Sequence, residues 1–389
     1  VSFVGSEITA VALPLAAVLL LEADAREMGW LVAAQNLPMM FFGLIAGVWV
    51  DRARRQPVLV GTNVGQAALL AVIPAAALLD ELSMMLLAAV AFGANALSVI
   101  GAVAERAYLP SLLARDQLVA ANSRVQFSFS LSRTVGPGVA GFLVQWLTAP
   151  IAILVDVVTF VIAGVLIGSI RHREAVAPAG RETHVLAEMG EGLRRVARDS
   201  LLRPLVLCGA THNICTTMIV AVYVLYLTRT LGITPTLLGM ILAAGGVGSI
   251  LGSVFAGRLT AHIGIGPAMI GSQALTGAAR LLLPLADGPL LAVVALLAVS
   301  EFLLGAMRAV FNITQISLRQ TVTEAAYQGR VNATIAFLLW AFTPLGALAG
   351  GYLGDAIGLN ATLWLAASGV LAATAFAYCS ALRTTHTAS

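Results

Sequence analysis

Lysine is missing altogether from these 389 residues, and charge of any kind is scarce, at 11%. A soluble domain carries about 25% charged residues, so this chain cannot cover itself with side chains that suit water. Cysteine is rare too. Cys208, Cys215 and Cys379 lie inside apolar runs, where they read as packing groups and imply no disulfide framework. The sequence has no phosphate-cradling ATP loop, no His/Cys/carboxylate cluster at metal-ligand spacing and no nucleophile–base constellation. It therefore does not read as an enzyme, and no cofactor is expected. The net charge of +3 comes from clustered arginines and gives no sign of a nucleic-acid partner.

What is present is apolar sequence in long runs. Hydrophobic residues make up 59% of the chain, in twelve stretches near 1–21, 28–50, 57–79, 83–104, 122–147, 149–170, 204–228, 236–261, 267–286, 289–314, 331–353 and 359–382. Each approaches the ~20 residues that cross a ~30 Å hydrocarbon core. Lipid leaves open strand edges unsatisfied, so helix is the expected state. The reading is an all-α membrane protein with twelve transmembrane helices.

The chain also repeats itself. Gly29, Gly47, Pro57, Gly61 and Pro74 recur 210 residues on as Gly239, Gly257, Pro267, Gly271 and Pro284. Asn122, Gly136, Gly141 and Leu143 recur at the same spacing as Asn332, Gly346, Gly351 and Leu353. Glycine and proline set backbone geometry rather than fill space. Two pseudo-symmetric six-helix halves follow, residues 1–170 and 204–389, and parallel repeats of this kind are a common plan for secondary transporters. Between them, 171–203 is a polar linker. Its Val185, Met189, Leu193 and Val196 lie opposite Glu188, Glu191, Arg194, Arg195 and Arg198, the pattern of an amphipathic helix on a membrane surface. It serves either as a tether or as a docking segment.

Arginine placement sets orientation. Arg52, Arg54, Arg55, Arg106, Arg115, Arg171, Arg173, Arg181, Arg194, Arg195, Arg198, Arg203, Arg319 and Arg330 fall on one side, against Arg26 and Arg229 on the other. The positive-inside rule predicts that both termini and the linker are cytoplasmic.

Local motifs add chemistry. Gly43 and Gly47 form a small-xxx-small pair that would let a neighbouring helix approach closely. Asp51, Arg52, Arg54 and Arg55 follow at the helix end. Asp51 could pair with an arginine or a helix N-terminus in one packing only, and so act as a latch; a topogenic basic loop is the plainer reading. This run resembles motif A of the major facilitator superfamily, with Gly47, Asp51, Arg52 and Arg55 matching and Arg54 in the usual glycine place. The second copy, Gly257 to Gly264, keeps glycines but has Ala261 and His262 in place of the acid and base.

Tyr108-Leu-Pro110-Ser-Leu, Arg115-Asp116-Gln117-Leu and Ala121-Asn122 lead to Arg133 and then Gly136-Pro137-Gly138-Val-Ala-Gly141. With Asp156, Thr159, Phe160 and Gly329-Arg330-Val-Asn332, they resemble the branch holding macrolide-efflux and enterobactin-type siderophore exporters. Gly136, Pro137 and Gly141 resemble antiporter motif C, and Pro344 and Gly346 stand in the second copy. Proline kinks a helix and glycine thins it, which suits a hinge and equally suits a tight helix contact. A basic residue midway along the fourth helix, found in other antiporter branches, is absent.

Charges inside the bilayer cost about 2.5–3.5 kcal/mol each on insertion scales. Glu7, Arg133, Asp156, Glu301 and Arg308 stand out, with Arg280 less central. A carboxylate in a low-dielectric setting can exchange protons near neutral pH. Glu301 and Glu7 are therefore candidate proton carriers, with structural ion pairing the alternative. Asp156 reads as structural or gating, and Arg133 as a counter-charge. Glu301, Gly305, Arg308, Asn312 and Gln315 share one stripe, which the resemblance places on a cavity-lining helix. Asn95, Ser98, His212, Asn213, Thr216, Thr217 and Tyr223 complete the candidate substrate lining. The resemblance implies a monomeric exporter of an amphipathic small molecule in a prokaryotic plasma membrane, exchanging it for protons. An uptake symporter or lipid flippase would share the fold.

Overall fold

The computed structural model describes residues 2–114, 116–171, 194, 202–322, 335 and 337–378. Twelve α-helices run through them: α1 (Ser2–Leu20), α2 (Ala25–Arg52), α3 (Arg55–Leu78), α4 (Met84–Leu112), α5 (Leu118–Trp146), α6 (Ala149–Gly168), α7 (Leu202–Leu225), α8 (Pro235–Ile263), α9 (Ile265–Leu281), α10 (Leu290–Val322), α11 (Thr343–Ala356) and α12 (Leu359–Tyr378). A single π turn, Tyr226–Thr230, closes α7. Among the described residues, nine helices are long and apolar enough to cross a membrane. Their outer faces carry side chains such as Val165 and Leu166, 67% and 57% uncovered. Apolar exposure on this scale suits lipid rather than water.

Two compact units divide the chain, Val1–Thr183 with Thr234–Gly239, and His184–Ile233 with Met240–Ser389. In the first, α1 packs on α5 and α6, and α3 on α4 and α6. In the second, α7 packs on α11 and α12, and α9 on α10 and α12. Advancing each helix number by six turns one plan into the other. The amphipathic linker helix expected near 185–198 falls outside the described residues, apart from Arg194.

The repeat reaches into individual turns. Ala23 N–H donates to Ala17 C=O at 3.0 Å, and Ile233 N–H to Leu227 C=O at 2.8 Å, both shifted by 210. This six-residue backbone closure ends a helix with a left-handed residue just past its last turn. Glu22 fills that place with φ 51° and Gly232 with φ 65°. Thr148 (φ 115°) and Gly358 (φ 89°) are likewise equivalent. Each backbone conformation survives although only the second copy has the residue that adopts it without strain.

Helix starts follow local chemistry. At α2, the Asp24 side chain accepts from Glu27 N–H at 2.8 Å while the Glu27 side chain accepts from Asp24 N–H at 3.0 Å. This reciprocal cap satisfies two of the donors a helix start leaves open. Some helices exceed the expected spans. The fourth, expected to end near 104, runs to Leu112, and Tyr108 packs with Val50, Leu59 and Ala104. Tyr108 and Pro110 therefore lie within α4, not in a loop. Hydropathy measures what lipid covers, whereas a helix continues as long as neighbours pack against it.

Candidate functional site

Each unit holds its own set of charged residues. In the first, Glu7 on α1 meets Arg133 on α5, with Oε1 to Nε at 3.9 Å and side chains 25% and 47% exposed. The guanidinium also lies 5.8 Å from the ring centre of Phe129, one turn earlier on α5. Phe3 meets that ring edge-on at 5.6 Å. Gly136 makes the approach possible, since a Cβ there would stand 2.5 Å from Glu7 Cβ.

Asp156 on α6 is treated quite differently. It is 1% exposed. One carboxylate oxygen accepts from Thr9 Oγ1 on α1 at 2.6 Å, and the other from Thr159 Oγ1 at 3.1 Å. Gly5 lets α6 come close, because a Cβ at that point would collide with Asp156 and Thr159. Both oxygens of this acid are thus engaged by hydroxyls, and the bond from Thr9 ties α1 to α6. That arrangement is a clamp.

In the second unit, Arg280 on α9 meets Glu301 on α10 at 3.7 Å, the side chains only 7% and 14% exposed. Tyr223 of α7 brings a buried hydroxyl next to the same carboxylate. His212 lies about three turns before Tyr223 on α7. Its Nδ1 is 2.8 Å from Gln273 Nε2, and its Nε2 is 3.4 Å from Thr216 Oγ1. If the Gln273 amide donates to Nδ1, the neutral ring carries its proton on Nε2 and donates to Thr216.

The predicted cavity residues divide. Tyr223 and Glu301 come together, whereas His212 joins Gln273 and Thr216. Asn213 instead donates to Leu339 C=O at 2.8 Å, and Thr217 to Asn213 C=O at 2.7 Å. Asn95 donates to Ala91 C=O at 3.0 Å. Ser98, Arg308 and Asn312 are exposed. The helix-10 stripe is therefore not one surface. Gly305 presses on Gly245 of α8, Gln315 is buried, and Glu301 turns toward Arg280.

Among the described residues, no second helix closes on Gly43 or Gly47. An added Cβ at Gly43 meets only Met39 of its own helix, and one at Gly47 meets nothing within 4 Å. Arg52 ends α2 and Arg55 begins α3. The Asp51 side chain lies outside the described residues.

The hinge residues also differ between copies. Pro137 sits inside an unbroken α5, whereas Pro344 opens α11 at its first turn, after a break at Ala341 and Phe342. Gly346 presses on Ile214 of α7, as Gly136 presses on α1. Gly141, within the first unit as its contacts define it, lies against Pro235 and Gly239.

Gln273 and the pairing role of Arg280 escaped the sequence reading. A signal existed: Gln273, Thr276 and Arg280 fall at i, i+3 and i+7, and all three are buried on one face of α9. The charged sites do not follow the repeat. Subtracting 210 from Arg280 and Glu301 gives Leu70 and Ala91, and adding 210 to Glu7 and Arg133 gives Thr217 and Thr343.

A family model described as transmembrane secretion effector matches residues 1–389. The chain is 28% identical over 366 residues to the multidrug efflux pump Tap of Mycolicibacterium fortuitum, covering 92% of this chain and 88% of that protein. It is 27% identical over 353 residues to the Tap pump of Mycobacterium tuberculosis, covering 88% and 82%. Among solved structures, the nucleoside transporter NupG aligns with a TM-score of 0.75 at 12% identity, over 96% of each chain. A bacterial homologue of the iron transporter ferroportin in its inward-facing state aligns at 0.74 and 16% identity, over 97% and 95%. At these identities the structures establish a shared fold: that of the major facilitator transporters.

Proposed function

We propose an export function from the premise that the chain belongs to the transmembrane secretion effector family, within the major facilitator superfamily. It moves an amphipathic small molecule out of a prokaryotic cell across the plasma membrane, in exchange for protons. The substrate class draws on full-length similarity to multidrug efflux pumps. The halves 1–170 and 204–389 alternate access, joined by the 171–203 linker, with both termini cytoplasmic and the protein working as a monomer.

One observation carries the coupling. Of the acids Glu7, Asp156 and Glu301, only Glu7 has a partly open carboxylate facing a half-exposed arginine. Asp156 is locked by two hydroxyls and Glu301 is enclosed with Arg280. Proton exchange requires a carboxylate that water or substrate can reach and whose counter-charge can move aside. Glu7 meets that requirement, so it carries the proton. Deprotonated, it favours substrate; protonated from outside, it releases it. Substrate and proton compete for one group, and coupling follows from that competition.

The test is pH-gradient-driven flux of dyes, macrolides and tetracyclines in inverted vesicles. Glu7→Gln is expected to abolish gradient-driven accumulation while the protein stays folded. Full proton-driven export by that variant would overturn the assignment.

A further inference from the structure

We infer that Glu7, Phe3 and Phe129 form a receptor for a lipophilic organic cation, and that the Arg133 guanidinium fills it as a built-in competitor. The inference rests on the export reading and names the substrate class of that same site. Arg133 is itself a delocalised, planar cation, held between a carboxylate at 3.9 Å and an aromatic face at 5.8 Å. Phe3 meets Phe129 edge-on and extends the apolar wall. A carboxylate beside aromatic rings is the chemistry that recognises quaternary or charge-delocalised cations. An anionic ligand would be repelled by Glu7, and a small hydrated cation would gain nothing from the rings.

Two features make the guanidinium replaceable. Its 3.9 Å separation from Glu7 exceeds the ~2.7–2.9 Å of a charge-assisted hydrogen bond. Its side chain is also 47% exposed, against 7% for Arg280 in the other pair, so packing does not hold it in place. A charged group open to lipid would be costly, which puts the open side of this pair toward water or ligand. A tethered occupant lowers the apparent affinity for a free ligand by the fraction of time the site is empty. Arg133 thereby resets the site once the cargo has gone.

The probe is tetraphenylphosphonium, with triphenylphosphine oxide as an uncharged counterpart, titrated into the full chain in nanodiscs without a gradient. Arg133→Gln is expected to tighten tetraphenylphosphonium binding about threefold or more. Glu7→Gln weakens it about tenfold or more, and Phe129→Leu several-fold, by loss of a cation–π partner. None of the three shifts the neutral compound by more than about twofold. Weaker cation binding in Arg133→Gln, or unchanged binding in Glu7→Gln, overturns the proposal. If Arg133→Gln fails to fold, as judged by its thermal midpoint, Phe129→Leu decides on the native arginine background, and unchanged binding there sinks it. Cation binding without proton-driven export would leave this inference standing and remove the export reading. Gradient-driven export of neutral cargo alone would do the reverse.

Discussion

Arg280 and Glu301 face each other across the α9–α10 hairpin at 3.7 Å, with 7% and 14% of their side chains exposed. Enclosed pairs of this kind are costly to break and cheap to replace. Removing one partner strands a charge and costs about 3–5 kcal/mol, whereas apolar residues of similar volume at both positions are often neutral or stabilising. Arg280→Met and Glu301→Leu should each lower the thermal midpoint sharply in detergent. The double variant should recover most of the loss. A double variant as unstable as either single one would show that the pair has further obligations.

The clamp on Asp156 makes a separate prediction. Thr9→Val removes the α1 donor and leaves one buried carboxylate oxygen without that bond. The expected cost is about 1–3 kcal/mol. Thermal unfolding of Thr9→Val and Thr9→Ser measures it, and serine should retain most of the stability because its hydroxyl can still donate.

Glycines that look alike in sequence should behave in opposite ways. Gly346→Ala drives a methyl group into the Ile214 backbone, and Gly136→Ala drives one into Glu7. Overpacking of this kind costs about 1–3 kcal/mol. Gly47→Ala meets no atom of the described residues within 4 Å and replaces a poor helix former with the best one, so it should stabilise by about 0.5–1 kcal/mol. Loss of transport in a stable Gly47→Ala protein would show that the space is filled at another stage of the cycle.

Thr148 holds a β-branched side chain at φ 115°, where its counterpart is Gly358 at φ 89°. Strain of this type costs about 1–3 kcal/mol. Thr148→Gly should therefore raise the thermal midpoint, and Gly358→Thr should lower it. Both changes are read in the same melting experiment.

The fold was largely legible because membrane length, repeat spacing and turn glycines are local properties. The helix count follows from them, whereas the shared backbone closures at Glu22 and Gly232 do not, because only one of the two positions carries a glycine. Helix ends were less legible, as α4 shows: Tyr108 is kept helical by Val50 and Leu59, neighbours that hydropathy cannot see. The charged residues themselves were conspicuous, but their partners were not. Glu7 and Arg133 are 126 residues apart, and no spacing rule connects α1 with α5. Arg280 was discounted on depth along the sequence, although the buried face it shares with Gln273 and Thr276 was already readable. Asp156 was readable as an intramembrane acid and Thr159 is its neighbour one turn on, whereas the Thr9 bond depends on how tightly Gly5 lets α6 approach.

The absence of Glu7, Arg133, Arg280 and Glu301 from their counterpart positions has a consequence for engineering. A chimera carrying the sequence of residues 1–170 in both places would own two copies of the partly exposed Glu7–Arg133 pair and none of the enclosed Arg280–Glu301 pair. One built twice from 204–389 would own two copies of the enclosed Arg280–Glu301 pair and none of the Glu7–Arg133 pair. The two copies thus differ in where their ion pairs sit and how far they are enclosed, and exchanging those four side chains, rather than whole helices, is the smallest edit that would move the pairs from one half to the other.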